Sequence, residues 1–567
     1  MSNDIPSKSP SRRVPWICLL LAVLTVGTFY PVLRCGFVNW DDMEHVARNP
    51  DMNPPTFHAL ERYWAKPYFG LWAPVTYSAW LATAAVAHGN PAVFHALNLA
   101  VHVAAVVLVF LIVRRLVPGI WPAAVGAAVF AVHPIQVEAI AWVSGLRDVL
   151  SGALAVLAIW MYLRATESTG PPRTWRCLAA TAVFALALLS KPTAVVTPLM
   201  LAIILGRRWR SSARWLAAWV IMAAAISVIA FFAQPSSDVY RPPIWARPLV
   251  ALDALSFYLR KLLLPAHLVI DYGRSPDWLM SHPAAWWPAG VVAAILVALT
   301  LYRQKIPRMA RAAAIGICAL LPVLGLVPFN FQYYSTVADR YAYLAMLGVA
   351  LGVAAVIAAI PRWTWPFTAI IVAALGAASN RQTRLWQDTA SLCDHTLTTN
   401  PGSVAALRIL TFEARTHGQW PLALQYNDRA LQTKPNDPLL IFDRANTLRA
   451  AGRLAAAAQA YFQALRLRPH DPQFRNNYAV LLAQQGNDAE AAAQFAEVLR
   501  QAPDYAEARA NWATYLARHG NRDQALAEFR RALADDPGCA AAVRGIKALE
   551  GKSEIRNSND ESNPKSQ

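Results

Sequence analysis

Five prolines, Pro401, Pro435, Pro469, Pro503 and Pro537, stand 34 residues apart, and Gly418, Gly452, Gly486 and Gly520 keep the same spacing. A strict period of this length commits the C-terminal part of the chain to stacked helix–turn–helix units, because each unit buries its apolar face only against the next. Small residues recur where paired helices must approach: Ala445, Ala479 and Ala513 in the first helix, Ala457, Ala491 and Ala525 in the second. Tyr461, Phe495 and Phe529 occupy the large site, followed by Ala464, Val498 and Ala532. Each proline closes a second helix, since its ring cannot continue the hydrogen-bond ladder. The 402–435 unit is weaker, with Asn427 at the large site, and Leu385–Asn400 reads as a half-repeat capping the array.

Ahead of the repeats lies a hydrophobic chain. The 567 residues are 56% hydrophobic and only 15% charged, which excludes an ordinary soluble globule. A net charge of +18 would suit nucleic acid, but the cations fall in short clusters between apolar runs, so no nucleic-acid partner is expected. The six cysteines (18, 35, 177, 318, 393 and 539) lie far apart, with no C-x-x-C and no metal spacing. A bridge between Cys35 and Cys393 on the outer side is the one pairing considered. Lys8, Arg12 and Arg13 precede an apolar run from Trp16 to Leu33 without a cleavage site, which reads as an uncleaved first helix.

Apolar runs near 15–33, 94–113, 119–138, 148–164, 177–190, 192–206, 215–233, 285–301, 312–329, 341–360 and 363–380 predict about eleven spans. Threading them puts Arg114/Arg115, Arg164/Arg173/Arg176, Arg207/Arg208/Arg210/Arg214, Arg303/Lys305/Arg308/Arg311 and Arg362 on the side of the N-terminus. That is a positive-inside pattern, so the N-terminus is cytoplasmic and the repeats lie outside. Leu71–Ala87 and Val250–Ile270 would invert this order if they spanned and are read as helices at the outer interface. The fold class is therefore all-α, a polytopic helical bundle followed by a helical solenoid. The expected organisation is a cytoplasmic N-terminus (1–14), a membrane domain (15–382) with outer loops 34–93 and 234–285, a repeat domain (383–550) and a disordered tail (551–567).

Chemistry is expected on the outer rim. Asp41 and Asp42 follow the first span directly. A sugar carried on a polyprenyl phosphate has a fair leaving group, which needs cations, whereas the acceptor hydroxyl needs a carboxylate to take its proton. His102, His133, Glu138, Arg147, Asp148, Lys191, Asp339, Arg340 and Tyr341 gather at the ends of spans assigned to the same side. Ionisable groups at membrane depth are costly and so are functional candidates. No residue pattern demands a metal, although Asp41 and Asp42 could share a divalent cation through the donor phosphate.

The order FVNWDD, FHALNLAVH, FAVHPIQVEAIAWVSGLRDVLS, SKP and VADRYAYL, followed by tetratricopeptide-type repeats, resembles the transmembrane and tetratricopeptide-repeat O-mannosyltransferases over about residues 15–550. These are lipid-phosphate-sugar-dependent glycosyltransferases of the C superfamily. The resemblance implies that Asp41 and Asp42 are the acidic pair of the first outer loop, that Asp41 is the base and that Arg340 is a donor-phosphate ligand. Lys191 is followed by Pro192 where the family has Lys-Glu. The expected activity is transfer of mannose or another hexose from a polyprenyl-phosphate donor to Ser or Thr of a protein held by the repeats. Arg340, with Arg147 or Lys191, would hold the phosphate.

The alanine- and arginine-rich composition points to a bacterial inner membrane with periplasmic repeats; a eukaryotic protein would sit in the ER membrane with luminal repeats. Two rivals are an O-antigen-type ligase or polymerase, using Arg241, Arg247, His267, Asp271 and Arg274 of the 234–285 loop, and a non-catalytic assembly factor.

Overall fold

The computed structural model describes residues 12–166, 174–233, 239–536 and 538–561, with side chains as far as residue 550. Lys8, Arg173 and Pro537, and residues 562–567 of the expected disordered tail, lie outside the described residues. The last helix runs Ala540–Glu561 and so enters that tail. The described chain is all-α and forms two compact units, residues 1–403 and 404–567. The stretch expected to cap the repeats, including helix Thr389–Thr399, falls in the first unit.

In the first unit, five helical stretches are long and apolar enough to cross a membrane: Arg13–Arg34, Pro91–Leu116, Val143–Thr166, Pro192–Ala233 and Pro283–Tyr302. The bent pair Ile120–Val132 and Pro134–Ala141 makes a sixth if it counts as one span. About eleven were expected; by length and apolarity several of those runs are shorter, interrupted or joined here. The runs at 192–206 and 215–233 join through the 3-10 turn Gly206–Ser212, while Thr174–Ser190 and Met346–Ile357 are shorter apolar helices. The chain is a multi-pass membrane protein.

Pro74–Ala87 and Arg247–Leu263 are not among the spanning stretches. Pro74–Ala87 packs on Pro91–Leu116 and Thr174–Ser190 with Tyr77 and Trp80 buried, rather than lying free on a surface. Small residues set the closest approaches. A Cβ on Gly126 would meet the Ala350 carbonyl oxygen at 2.2 Å, so Ile120–Val132 and Met346–Ile357 pack backbone to backbone. Cys35 and Cys393 are both buried and form no disulfide, which corrects the proposed bridge.

One break positions everything that follows. Pro134 has no N–H to give the Phe130 carbonyl, so the helix stops at Val132 and the chain turns by 48°. Gln136 Nε2 donates to that Phe130 oxygen at 3.3 Å, and His133 Nδ1 accepts the Ile135 N–H at 3.2 Å. Short turns then lead through Val137–Ala141 and Val143–Gly145 into the helix Leu146–Thr166. Asn98 Nδ2 donates to the Trp142 carbonyl at 2.7 Å. Irregular backbone survives in a buried membrane segment only when such partners exist.

In the second unit the helix pairs are Val404–Thr416 with Trp420–Thr433, Pro438–Ala450 with Leu454–Leu467, Pro472–Gln484 with Asp488–Gln501, and Ala506–Arg518 with Arg522–Asp535. Gly418, Gly452, Gly486 and Gly520 take φ of +73° to +81° between the two helices of a pair, a conformation that glycine adopts freely. The recurring alanines and Tyr461, Phe495 and Phe529 are all buried. Asn427 is buried at the weak large site and donates to the Leu440 carbonyl.

Candidate functional site

The turn 38–42 docks onto the broken segment just described. Trp142 Nε1 donates to the Trp40 carbonyl at 2.7 Å. Asp42 is fully buried: Oδ2 accepts the Val38 N–H at 3.1 Å, and Oδ1 accepts the Ser144 N–H at 2.9 Å and its hydroxyl at 2.6 Å. Burial pushes the Asp42 carboxyl up to about 7, against the opposing pull of the Ser144 and Val38 donors. Its oxygens are thus occupied by protein donors, and a divalent cation shared by Asp41 and Asp42 does not fit this arrangement. Among the described residues no three His, Cys, Asp or Glu side chains form a metal cluster.

Asp41 is held in the left-handed region, with φ of +74°. Asp tolerates that region better than most residues, and such backbone recurs at functional sites. Its side chain is 47% exposed and meets Arg147 Nη2 at 3.1 Å. Arg147 Nε in turn donates to the Ser144 carbonyl at 3.1 Å. Asp42 and Ser144 therefore fix both partners of the Asp41–Arg147 pair.

Arg147 opens a row of cations threaded on aromatic rings. The guanidiniums of Arg147 and Arg340 lie 5.5 and 5.3 Å from the Trp142 centroid. Arg340 also lies 4.3 Å from Phe331 and 4.9 Å from Tyr341, and Lys191 Nζ is 5.5 Å from the same Tyr341 ring. Each cation holds one carboxylate. Arg147 holds Asp41, Lys191 holds Asp148 at 2.6 Å, and Arg340 holds Glu138, whose other oxygen accepts the Arg340 N–H at 2.9 Å. Burial lowers the Lys191 ammonium while Asp148 opposes it. A cavity of 20 Å³ is lined by Asp148, Ser151, Arg340, Tyr341 and Tyr343.

The structure thus gathers Asp41, Arg147, Arg340, Lys191, Glu138, Asp148 and Tyr341, with Asp42 as their buried anchor. Three further candidates lie elsewhere. His102 is enclosed, 3.1 Å from the Tyr343 hydroxyl and 3.1 Å from the Ala131 carbonyl, and stacks on Phe130. His133 caps its own turn and bonds the Leu262 carbonyl at 3.2 Å. His102 thus answers a carbonyl near the end of the broken helix, and His133 a carbonyl near the end of Arg247–Leu263. Asp339 turns away from the row and accepts the Tyr272 hydroxyl on both oxygens at 2.9 Å; burial, then the charge of Glu138, raises its carboxyl.

Of the loop residues considered for a ligase, Arg274 pairs with Asp253, and Asp271 accepts from Gly273 N–H and the Ser403 hydroxyl. Trp142 and Ser144 were not legible as site residues, because neither ionises and both sit inside an apolar run. His45, next to the acidic pair, was also not singled out. It is packed among Tyr68, Tyr77 and Trp80, bonds the Tyr77 hydroxyl at 2.7 Å, and burial pushes its imidazole down to about 4.

Residues 73–232, which include the broken segment, match the family model for dolichyl-phosphate-mannose-protein mannosyltransferase, and residues 442–506 and 511–546 match tetratricopeptide repeats. The chain is 30% identical over 289 residues to protein O-mannosyl-transferase Tmtc2 of Drosophila melanogaster, covering 46% of this chain and 31% of that protein. It is 29% identical over 177 residues to human protein O-mannosyl-transferase TMTC3, covering 29% of this chain and 18% of that protein. The matched stretches thus span a third or less of these relatives. A crystal structure of ArnT from Cupriavidus metallidurans bound to undecaprenyl phosphate is similar at 15% identity and a TM-score of 0.36, covering 82% of this chain and 81% of that one. Over part of its length the chain is thus similar to protein O-mannosyl-transferases, and its C-terminal part matches tetratricopeptide repeats.

Proposed function

We propose that this protein is a membrane glycosyltransferase that moves a hexose, mannose first among them, from a polyprenyl-phosphate donor to Ser or Thr hydroxyls of a protein on the outer side. The observation that carries the reading is the Asp41–Arg147 pair. It sets a half-exposed carboxylate beside a row of three cations, in a chain whose adjoining segment matches a lipid-phosphate-mannose transferase family. The donor phosphate takes Arg147 and, with some rearrangement of their carboxylates, Arg340 or Lys191. Asp41 is thereby released. Its carboxylate accepts the proton of the acceptor hydroxyl as that oxygen attacks the anomeric carbon, and the bond to phosphate breaks with inversion. The guanidiniums stabilise charge growing on the departing phosphate oxygen, in a site where aromatic rings exclude water. The repeats hold the acceptor and supply binding energy remote from the reacting atoms.

The test is incubation of purified protein with labelled polyprenyl-phosphate hexoses and a membrane-free protein extract. Asp41→Asn should retain insertion and folding but lower transfer by about two orders of magnitude or more, the range set by loss of a general base. Near-normal turnover in that variant would remove Asp41 as the base.

A further inference from the structure

The cations of the membrane unit fall into two populations. Around the candidate site each one holds a carboxylate: Arg147 with Asp41, Lys191 with Asp148, Arg340 with Glu138. The stretches 192–237 and 278–338 differ. They carry Arg207, Arg208, Arg210, Arg214, Arg303, Lys305, Arg308 and Arg311 and contain no Asp or Glu.

The fold brings part of this second population together. Ala213–Ala233 packs back against Pro192–Val196, so the turn Gly206–Ser212 is the tip of a helical hairpin. Helix Pro307–Leu320 packs on Thr197–Leu205, the arm that leads into that tip. Gly206 makes the bend with φ of +58° and ψ of −131°, a conformation that suits glycine alone. A Cβ on Gly206 would stand 3.7 Å from Arg311 Nη2, so turn and helix meet there. The like charges of Arg208 and Arg308 both bear on the half-buried Arg311. None of these three arginines pairs with a carboxylate among the described residues. The other ends of the same helical stretches line the site cavity through Thr193, Ala194, Ala319 and Val323. The arginine cluster therefore lies at the opposite end of the bundle from the charged row.

Its surroundings indicate what would answer it. Trp209 on the turn, and Ile306 and Met309 at the start of the neighbouring helix, are 46%, 40% and 37% exposed. Apolar side chains beside unanswered cations suit the boundary between acyl chains and headgroups, where Trp is favoured. Guanidiniums held close together repel one another until an anion enters, and the repulsion grows where water is scarce. A lipid with one phosphodiester brings one negative charge to three cations. A lipid with two phosphodiesters joined through a glycerol brings two, within a single headgroup.

We propose that Arg208, Arg308 and Arg311, between the hairpin tip and the start of helix Pro307–Leu320, bind a phospholipid of this two-phosphate class. A guanidinium suits the task because it presents parallel N–H donors to phosphate oxygens. General attraction of basic loops to anionic lipid follows net charge and treats every cation at that end alike. A built site depends on these three.

The experiment uses the full chain, stripped of lipid in neutral detergent and titrated at physiological salt with diphosphatidylglycerol, phosphatidylglycerol or phosphatidylcholine. Native mass spectrometry counts the bound lipid. Diphosphatidylglycerol should bind about tenfold more tightly than phosphatidylglycerol, the factor for one further charge-assisted hydrogen bond, and phosphatidylcholine most weakly. Arg208→Gln with Arg311→Gln should bring the first lipid down to the level of the second. Arg362→Gln removes a cation assigned to the same side of the membrane and should change nothing. Thermal unfolding of the helical signal shows whether each variant folds. Arg208 is exposed, so Arg208→Gln alone serves if the double variant does not.

Equal binding of the two anionic lipids, or a preference that survives loss of the arginines, overturns the proposal. A loss in Arg362→Gln as large as in the double variant overturns it in favour of diffuse charge attraction. Inorganic pyrophosphate at the same concentration should not displace the lipid, and displacement would assign the cluster to a soluble phosphate instead.

Discussion

Asp42 keeps both carboxylate oxygens on donors at full burial, and its protonation is linked to stability. The folded protein retains the proton to about pH 7, whereas the unfolded chain releases it near 3.8. Between those values the native state binds more protons than the unfolded one, so stability falls as pH rises, by up to about 1.4 kcal/mol per unit. The contribution is complete below the lower value and is lost as pH climbs through the upper one. Thermal midpoints of the purified protein should therefore drop from pH 5 to pH 8, and Asp42→Asn should flatten that dependence. The same variant places an amide donor against either Val38 N–H or Ser144, and should lower stability by about 1–3 kcal/mol. Asp41→Asn alters a half-exposed carboxylate without creating a buried cavity and should cost less stability than Asp42→Asn while lowering turnover. Opposite signatures from adjacent carboxylates would separate an anchor from a base. Adjacency in sequence made both acids conspicuous, but which is exposed depends on the left-handed turn and on Ser144, 102 residues further along.

At the scale of elements, the segment 133–147 carries the site, and its route is set by groups that replace missing backbone partners. Gly145 belongs to that route. A Cβ there would meet the Ala139 carbonyl oxygen at 2.3 Å, so the turn into Leu146–Thr166 closes only around glycine. Gly145→Ala should lower the thermal midpoint and transfer together, since it displaces Ser144 and Arg147 along with the backbone. Gly27→Ala in the first helix, where nothing lies within 4 Å, should leave both unchanged or slightly raise the midpoint. Melting curves and transfer rates of the two variants check this. Pro134 lies inside the run read as one span over 119–138, and the partners that mend its break, Gln136 and Asn98, looked like ordinary polar residues in apolar runs.

For the whole molecule, the two units divide recognition from chemistry under the proposed function. Deleting residues 404–567 removes one compact unit and leaves the other its own core. The truncated protein should still transfer sugar to a short peptide, while transfer to a full-length acceptor should collapse, because remote binding energy is lost. Assays with both acceptors test this, and joint loss in a properly inserted truncation would assign the repeats to the active site.

The sequence by itself determined the helical class and the repeats, because a 34-residue period and long apolar runs are local signals carried by neighbouring residues. It also identified most members of the charged row, because ionisable groups stand out against apolar surroundings. Only the tertiary structure decided their partners. Asp41 meets Arg147 across 106 positions and Glu138 meets Arg340 across 202, and no periodicity links residues that far apart. The same packing set His102 and His133 against backbone carbonyls. Where a freed carbonyl or a close helix approach lies is a property of the assembled bundle.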